Sequence, residues 1–285
     1  SFTKNTVTLT APVASANIIP PGEDVTAGTL LVPKGKILTA SDLALIAGQG
    51  IADIEVYKKL SIGLISTGSE LLNTGSPLEY GKIYNTNPYL LGGYIQKHHM
   101  TANYLNTVSD DLDSLCRAVL EALKTNDIVI TTGGVSAGDF DYMPEVIRRI
   151  GGDLLFHRLK FKPGGAMLGA FKDGKVILGL SGNPGAAATG LLCVGFPFMR
   201  KLSGRSDITF SQTTAYLGVD FKKSSPVTRI LKGHSDFKNG MLYFTPLSNQ
   251  HNGSVSSMSD CDLLAIIPAG SKPLAAGDKL EVYIL

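Results

Sequence analysis

The sequence predicts an α/β central domain with a mostly parallel sheet, flanked by a β-rich N-terminal region and a C-terminal β-barrel. Three observations predict it. Between residues 61 and 205, short apolar runs rich in β-branched residues alternate with amphipathic stretches. That alternation is the pattern of βαβ units and of a sheet covered on both faces. Outside those limits it stops, and strand-like pieces are separated by Gly, Pro and Asn turns. Finally, Ile128 to Ile150, IVITTGGVSAGDFDYMPEVIRRI, sets a strand, a Gly-rich loop, an acidic pair and a helix in series. Ligands of such sheets bind at the carboxyl ends of strands, where this loop falls. The chain is therefore expected to divide into residues 1–60, 61–205 and 206–285.

In the first region, Val7 to Ala14 and Ala16 to Ile19 are strand-like, and Pro20-Pro21-Gly22 makes a turn before Glu23 and Asp24. Gly and Pro punctuate Val25 to Leu38 as short strands and hairpins. Ser41 and Asp42 open a short helix over Leu43 to Gly48, and Ile51 to Tyr57 reads as a strand. The chain opens on Ser1, already in strand-like sequence, so further residues are expected upstream. In the central region, Ser61 to Ser66 is a strand, Asn87-Pro88 opens a helix through His98, and Asn103 to Val108 is the next strand. Asp110 starts a helix to Lys124, Ile128 to Thr132 is a buried strand, and Pro144 suits the first turn of a helix that stops at Gly151-Gly152. Leu154 to Phe161 reads as one strand. Ala166 to Phe171 and Val176 to Leu180 form a hairpin turning at Asp173-Gly174, and Gly182-Asn183-Pro184-Gly185 leads into a helix from Ala186 to about Leu202. The tail has strand-like pieces at Gly240 to Pro246, Asp262 to Ile267 and Lys279 to Ile284.

Composition bounds the function. The 285 residues are 44% hydrophobic and 18% charged, enough core for two or three globular domains. A net charge of +2 gives no argument for nucleic acid or an anionic membrane surface. Cys116, Cys193 and Cys261 are odd in number and far apart, with no metal-ligand spacing, so free thiols in a reducing cytoplasm are expected. The most apolar stretch, Leu191 to Phe198, is broken by Pro197 and too short to span a bilayer. No signal-peptide pattern stands at the start.

The chemistry is expected in the loops after the central strands. Gly133, Gly134 and Gly138, with Ser136 between them, let a ligand approach backbone N–H groups that suit phosphate oxygens. Asp141 follows, and two readings stand: a carboxylate that holds Mg²⁺ against those phosphates, or the N-cap of the next helix. Glu70, Asp110 and Asp141 leave three different strand ends and are expected to converge. Three carboxylates without basic partners invite a divalent cation, whereas each alone is an ordinary cap or solvated acid. Strand alternation puts Arg158, Lys160 and Lys162 on one face. Lys162 differs in preceding Pro163-Gly164-Gly165, which sets it at a strand end where an oxyanion is its natural partner. None of the five histidines is expected to bind metal, and no Ser-His-Asp arrangement stands out.

Six segments in order, STGSEL from Ser66, GKIYNTN from Gly81, VSDD from Val108, TTGGVSAGDFDY from Thr131, FKPGG from Phe161 and LSGNPGAA from Leu180, closely resemble the MoeA family. These are molybdopterin molybdenumtransferases, related to the E domain of gephyrin. PPGEDVTAG before the central region and the β-rich tail after it also fit. The resemblance implies a three-layer MoeA-like central domain and insertion of molybdate into adenylylated molybdopterin, with Mg²⁺ and release of AMP. It implies a homodimer with a shared cleft. It also implies two partners, the adenylyltransferase that makes the substrate and the apo-molybdoenzyme that receives the product. By position it assigns catalysis to Glu70, Asp110, Asp141 and Lys162, with Asp141 and Glu70 on the metal. Substrate contacts fall on Asp24, Thr67, Gly133, Gly134, Ser136, Gly164, Ser181, Asn183 and Pro184. Arg229 or Lys232, with Ser257, joins Lys162 around the molybdate. The family often has proline where Ser181 stands and a second lysine where Gly165 stands. Two other readings accompany this one: a molybdopterin adenylyltransferase, whose central domain shares the loop plan, and a non-catalytic gephyrin-like scaffold.

Overall fold

The first unit, Ser1–Glu55, is built around one helix, α1 (Ala40–Gly48). The structure, a computed structural model, describes residues 3–8, 10–11, 19–135 and 141–285. Helix α1 starts earlier than Ser41 because Thr39 and Asp42 close a capping box. Asp42 N donates to Thr39 Oγ1 at 3.3 Å, and Thr39 N donates to Asp42 Oδ2 at 2.9 Å. A hydrogen bond from Lys36 Nζ (2.6 Å) heads the contacts that hold the Asp42 carboxyl down at about 2. The strands expected at Val25 to Leu38 and Ile51 to Tyr57 do not form, and no strand lies among the described residues of this region. An extended segment becomes a strand only when a ladder pairs its backbone, and Ile51 to Tyr57 lies exposed with none beside it. Part of the expected strands, residues 9 and 12–18, lies outside the described residues.

The second unit, Val56–Leu285, holds the α/β sheet and the barrel. In chain order its first part runs β1 (Ser61–Thr67), β2 (Leu71–Leu72), β3 (Ile83–Tyr84), α2 (Asn87–Lys97), β4 (Thr101–Val108), α3 (Leu112–Thr125), β5 (Ile128–Thr132), α4 (Met143–Arg149), β6 (Asp153–His157), β7 (Phe161–Lys162), β8 (Leu168–Lys172) and β9 (Lys175–Leu180). Helices α5 (Pro184–Gly190) and α6 (Phe196–Leu202) follow, joined by a π turn at Leu191–Gly195. The main sheet has the order β4-β1-β5-β9-β8-β6, parallel from β4 to β9 and antiparallel at β8. Strand β5 sits in its middle and is buried at every position, which is why its sequence shows no alternation. The hairpin β8–β9 turns where expected, with Asp173 (φ 48°) and Gly174 (φ 80°) both left-handed.

One face of the sheet packs on α3 and α4. Leu115, Val119, Ala122 and Leu123 recur at helical spacing and are all buried there. Each large apolar side chain on that stripe contributes about 1.5–3 kcal/mol of burial. The other face packs on α2, α5 and α6 through Leu91, Ile95, Leu191, Leu192 and Phe196. Pro197 cannot donate a backbone hydrogen bond, and the π turn precedes it in an otherwise continuous helix.

Two expectations change here. Leu154 to Phe161 is not one strand: it breaks at Arg158, which has φ 65°. Strand β6 stays in the main sheet, while β7 crosses to the barrel and pairs with β11 (Thr228–Lys238). Arg158, Lys160 and Lys162 therefore share no strand and no common face. The helix at Asp110 begins later, at Leu112, with Asp111 as N-cap accepting from Ser114 N at 2.8 Å.

The tail forms the expected barrel from β10 (Gln212–Leu217), β11, β12 (Met241–Pro246), β13 (Leu263–Ile267) and β14 (Lys279–Ile284). The order β10-β14-β13-β11-β12 closes through the pairing of β12 with β10, which removes free edges. Leu217, Leu231, Phe244 and Val282 fill its interior. Ile230, Met258 and Leu264 join the core of the main sheet instead, so barrel and sheet share apolar packing.

Candidate active site

The loops that follow β1, β4, β5 and β9 meet at the carboxyl end of the sheet. Asp110, just past β4, accepts from Thr67 Oγ1 and from Ser69 N (3.3 Å), so it fastens the β1 loop. Gly133, just past β5, lies against that loop: a Cβ built on it would stand 2.6 Å from Thr67 O. Its N donates to Leu180 O at 3.0 Å, and Gly182 touches it from the β9 side. Only glycine fits Gly133, which also has φ 99°. Asn87 Nδ2 donates to Gly182 O at 2.8 Å, and Asn85 accepts from Ser66 Oγ at 3.3 Å. The two asparagines of GKIYNTN therefore brace the loops. Ser181 Oγ accepts from Asn183 N at 3.2 Å, keeping the turn that often carries proline in the family. Pro184 then takes the first position of α5.

Asp141 is not a helix cap. The N-cap of α4 is Tyr142, and the Asp141 carboxylate turns away to the end of β6. Its Oδ2 lies 3.1 Å from Arg158 Nη2 and 3.2 Å from His157 Nε2. Its Oδ1 is buried without a hydrogen-bond partner among the described residues. Glu70 is exposed and its carboxylate folds back over Gly68. The expected convergence of Glu70, Asp110 and Asp141 into one cage is not found: no group of three acids, histidines or cysteines able to hold a metal forms among the described residues. Asp110 is committed to the β1 loop and Asp141 to Arg158, with His157 Nε2 close by but without a hydrogen bond to it. Ser136, Gly138 and Asp139 lie outside the described residues.

Lys162 faces a different place. It lines a cleft of about 690 Å³ between the KPG turn, the start of α5 and the barrel, together with Pro163, Asn183, Lys223, Arg229 and His251. Register explains the pairing of cations, because β7 runs beside β11 with Lys162 opposite Arg229. Among the described residues that line it there are cations, neutral polar groups and a few apolar side chains, and no carboxylate. Gly164 (φ 95°) packs against Gly190 N and Ala186 O, which fixes the turn on α5. The turn closes over Gly165: a Cβ there would meet Phe161 O at 2.2 Å. Lys232 does not line the cleft. It is fully buried, with Nζ 2.6 Å from Ser257 Oγ, and burial pushes its pKa down. Of the two barrel cations considered, Arg229 is thus the one that reaches the cleft. Lys223 carries no expectation from sequence, Arg158 is expected only as one of three cations on a strand face, and His157 and His251 are expected only not to bind metal. The polar run Ser248 to Gly253 after Pro246 is the signal that marks the barrel side. Asp24 belongs to the first unit, where the Pro20-Pro21-Gly22 turn forms as expected.

A glycine-lined sheet edge next to a cation-lined cleft gives this α/β protein a surface suited to an anionic small molecule. Residues 63–201 match the family model of a probable molybdopterin binding domain, and residues 214–285 match the MoeA C-terminal region (domain IV). A molybdopterin molybdenumtransferase of Staphylococcus aureus (strain MRSA252) is 34% identical over 282 residues, which cover 99% of this chain and 67% of the relative. That of Bacillus subtilis (strain 168) is 35% identical over 269 residues, 94% of this chain and 63% of the relative. A crystal structure of a molybdopterin biosynthesis MoeA protein from Pyrococcus horikoshii shares the fold with a TM-score of 0.80 at 27% identity, over 92% of this chain and 64% of that one. The chain belongs to the MoeA family of molybdopterin molybdenumtransferases, transferases of molybdenum cofactor biosynthesis, and spans about two thirds of the length of these relatives. Neither an adenylyltransferase nor a non-catalytic scaffold is favoured by these matches.

Proposed function

We propose that this chain inserts molybdate into adenylylated molybdopterin and releases AMP and molybdenum cofactor. The observation that carries the reading is the cation-lined cleft at Lys162 and Arg229, a few residues from the Gly-rich loops. Two anionic demands then have two places. The backbone N–H of Gly134, with Ser136, holds phosphate, while Gly133, whose own N–H is taken by Leu180 O, lets the ligand approach the loop, and Thr67, Ser181, Asn183 and Pro184 shape the adjoining loops. Lys162 and Arg229 hold the molybdate oxyanion, with Gly164 keeping the lysine at the cleft. Asp110 acts by holding Thr67 and Ser69 in place, and Asp24 is a substrate contact by the family resemblance.

Asp141 and Glu70 are the residues that would hold Mg²⁺. A partly buried carboxylate with one unpartnered oxygen fits a cation that arrives with substrate phosphates, since Mg²⁺ commonly takes one or two carboxylates and completes its shell with phosphate and water. Held there by Asp141, a divalent cation would supply the charge that polarises the phosphoanhydride between AMP and the pterin. Residues 1–60 form an N-terminal region, 61–205 the molybdopterin-binding domain, and 206–285 a barrel that lines the cleft. We further propose a homodimer, because the first region has little core of its own, and a stable monomer on sedimentation at micromolar concentration contradicts it. Three cysteines without a disulfide fit a cytoplasmic protein, and no described helix is long and apolar enough to cross a membrane. The same reading names the adenylyltransferase and an apo-molybdoenzyme as partners in handing over substrate and product. Calorimetry of AMP and molybdate binding, with and without Mg²⁺, tests the reading. Nucleotide binding strengthened by Mg²⁺ and separate saturable molybdate binding are expected; failure to bind either anion contradicts it.

A further inference from the structure

The contact between Arg158 and Asp141 has features that a purely structural ion pair does not need. Arg158, just past the end of β6, has φ 65°, a left-handed backbone uncommon for arginine, and its side chain reaches Asp141. The contact is single-pointed. Arg158 Nη2 and His157 Nε2 both approach Oδ2, at 3.1 and 3.2 Å, while Oδ1 stays buried without a partner among the described residues. A guanidinium that serves only to neutralise a carboxylate commonly takes both oxygens with its fork. The exposures differ too: the Asp141 side chain is 15% exposed and that of Arg158 is 49% exposed. The carboxylate is the more buried partner, whereas the guanidinium sits at the solvent edge. A divalent cation taken up on the open Oδ1 would share the carboxylate with Arg158 on Oδ2, and the two positive charges repel, so they compete for Asp141.

We propose that Arg158 is a positioning residue that stands in for the divalent cation. Its guanidinium holds the Asp141 carboxylate in the metal-free protein, gives it up when a divalent cation binds, and is then available to the phosphate oxygens of the substrate. The proposal rests on the reading of Asp141 as a metal-holding carboxylate and adds who occupies it beforehand.

The test is Mn²⁺ binding to the whole protein, followed by electron paramagnetic resonance without nucleotide, and AMP binding in the presence of Mn²⁺. Arg158→Asn removes the guanidinium and leaves a residue at ease in the left-handed region, so the backbone keeps its bend. Arg158→Met is the second neutral variant should the first fail to fold. Without the competing cation, Mn²⁺ is expected to bind roughly three- to tenfold tighter, and AMP in the presence of Mn²⁺ at least about threefold weaker. Arg158→Lys, which keeps the charge, should stay near wild type on both. A structural role alone predicts no gain in metal affinity. Unchanged or weaker Mn²⁺ binding in the neutral variants, with loss of Mn²⁺ in Asp141→Asn, overturns the stand-in role and leaves the Asp141 reading intact. Wild-type Mn²⁺ binding by Asp141→Asn overturns both.

Discussion

Replacing Gly133 with alanine should separate the geometry of the loop cluster from its chemistry. Two effects add at this position. The backbone has φ 99°, where a Cβ costs about 1–2 kcal/mol. The new methyl would also lie 2.6 Å from Thr67 O and 2.8 Å from Thr67 Cγ2, so the end of β1 must shift, at about 1–3 kcal/mol. The sum is roughly 2–5 kcal/mol, a fall of about 5–15 °C in Tm for a unit of this size. Gly174→Ala is the internal control. It has φ 80° in the β8–β9 turn and nothing within 4 Å of its Cβ, so it carries the backbone effect of about 1 kcal/mol and no overlap. Thermal unfolding of both variants, with AMP affinity measured below the transition, reads the two effects apart. Gly133→Ala is expected to lose AMP affinity as well as stability, because the shift reaches Thr67 and the Asp110 contact; Gly174→Ala should bind AMP as wild type does. Equal melting temperatures for the two variants, or wild-type AMP binding by Gly133→Ala, refute the placement of Gly133 against β1.

Three further outcomes are expected. Asp141→Asn is nearly isosteric and Asp141 caps no helix, so the unfolding midpoint should change little while AMP release falls by about two orders of magnitude or more, the scale of ~3 kcal/mol of transition-state stabilisation; full activity in a folded variant refutes the role. Lys162→Ala should weaken molybdate binding more than AMP binding, and equal loss of both in calorimetry contradicts the assignment of the cleft. His98 packs edge-on against Phe196 and Phe210, and burial, then the Arg200 charge, pushes its pKa down to about 4. The unfolded chain therefore takes up a proton below pH ~6.5 that the folded chain refuses, so stability is full above that pH and declines toward about pH 4. Allowing for partial exposure, the decline attributable to His98 is about 1–2 kcal/mol, and denaturant unfolding of His98→Gln across this range should show a flatter profile.

Much of this was readable from residue order because the central sheet follows local rules. Strand β5 is apolar throughout, α3 repeats its buried face at helical spacing, and the β8–β9 turn has its left-handed Asp173 and Gly174. What failed depended on partners distant in the chain. The strand-like stretches of the first region found no ladder. Leu154 to Phe161 broke because β7 pairs with β11, some sixty-odd residues away, an alternative to the neighbouring β8 that periodicity does not show. The site divides in the same way. Gly133, Gly134 and Lys162 were legible from local glycine and proline chemistry, whereas the commitment of Asp110 to Thr67 and of Asp141 to Arg158 required the loops to meet. Lys223 and His251 carry no local signal beyond polarity, since the barrel, not their neighbours, brings them to Lys162.

The measurement that reaches the central claim is AMP release from adenylylated molybdopterin by the protein that carries this chain, with molybdate present or withheld. The account predicts AMP and molybdenum cofactor formed together, with release that depends on molybdate and saturates as the Lys162 cleft fills. AMP release at the same rate without molybdate, or no release by a folded protein that binds both anions, would contradict it.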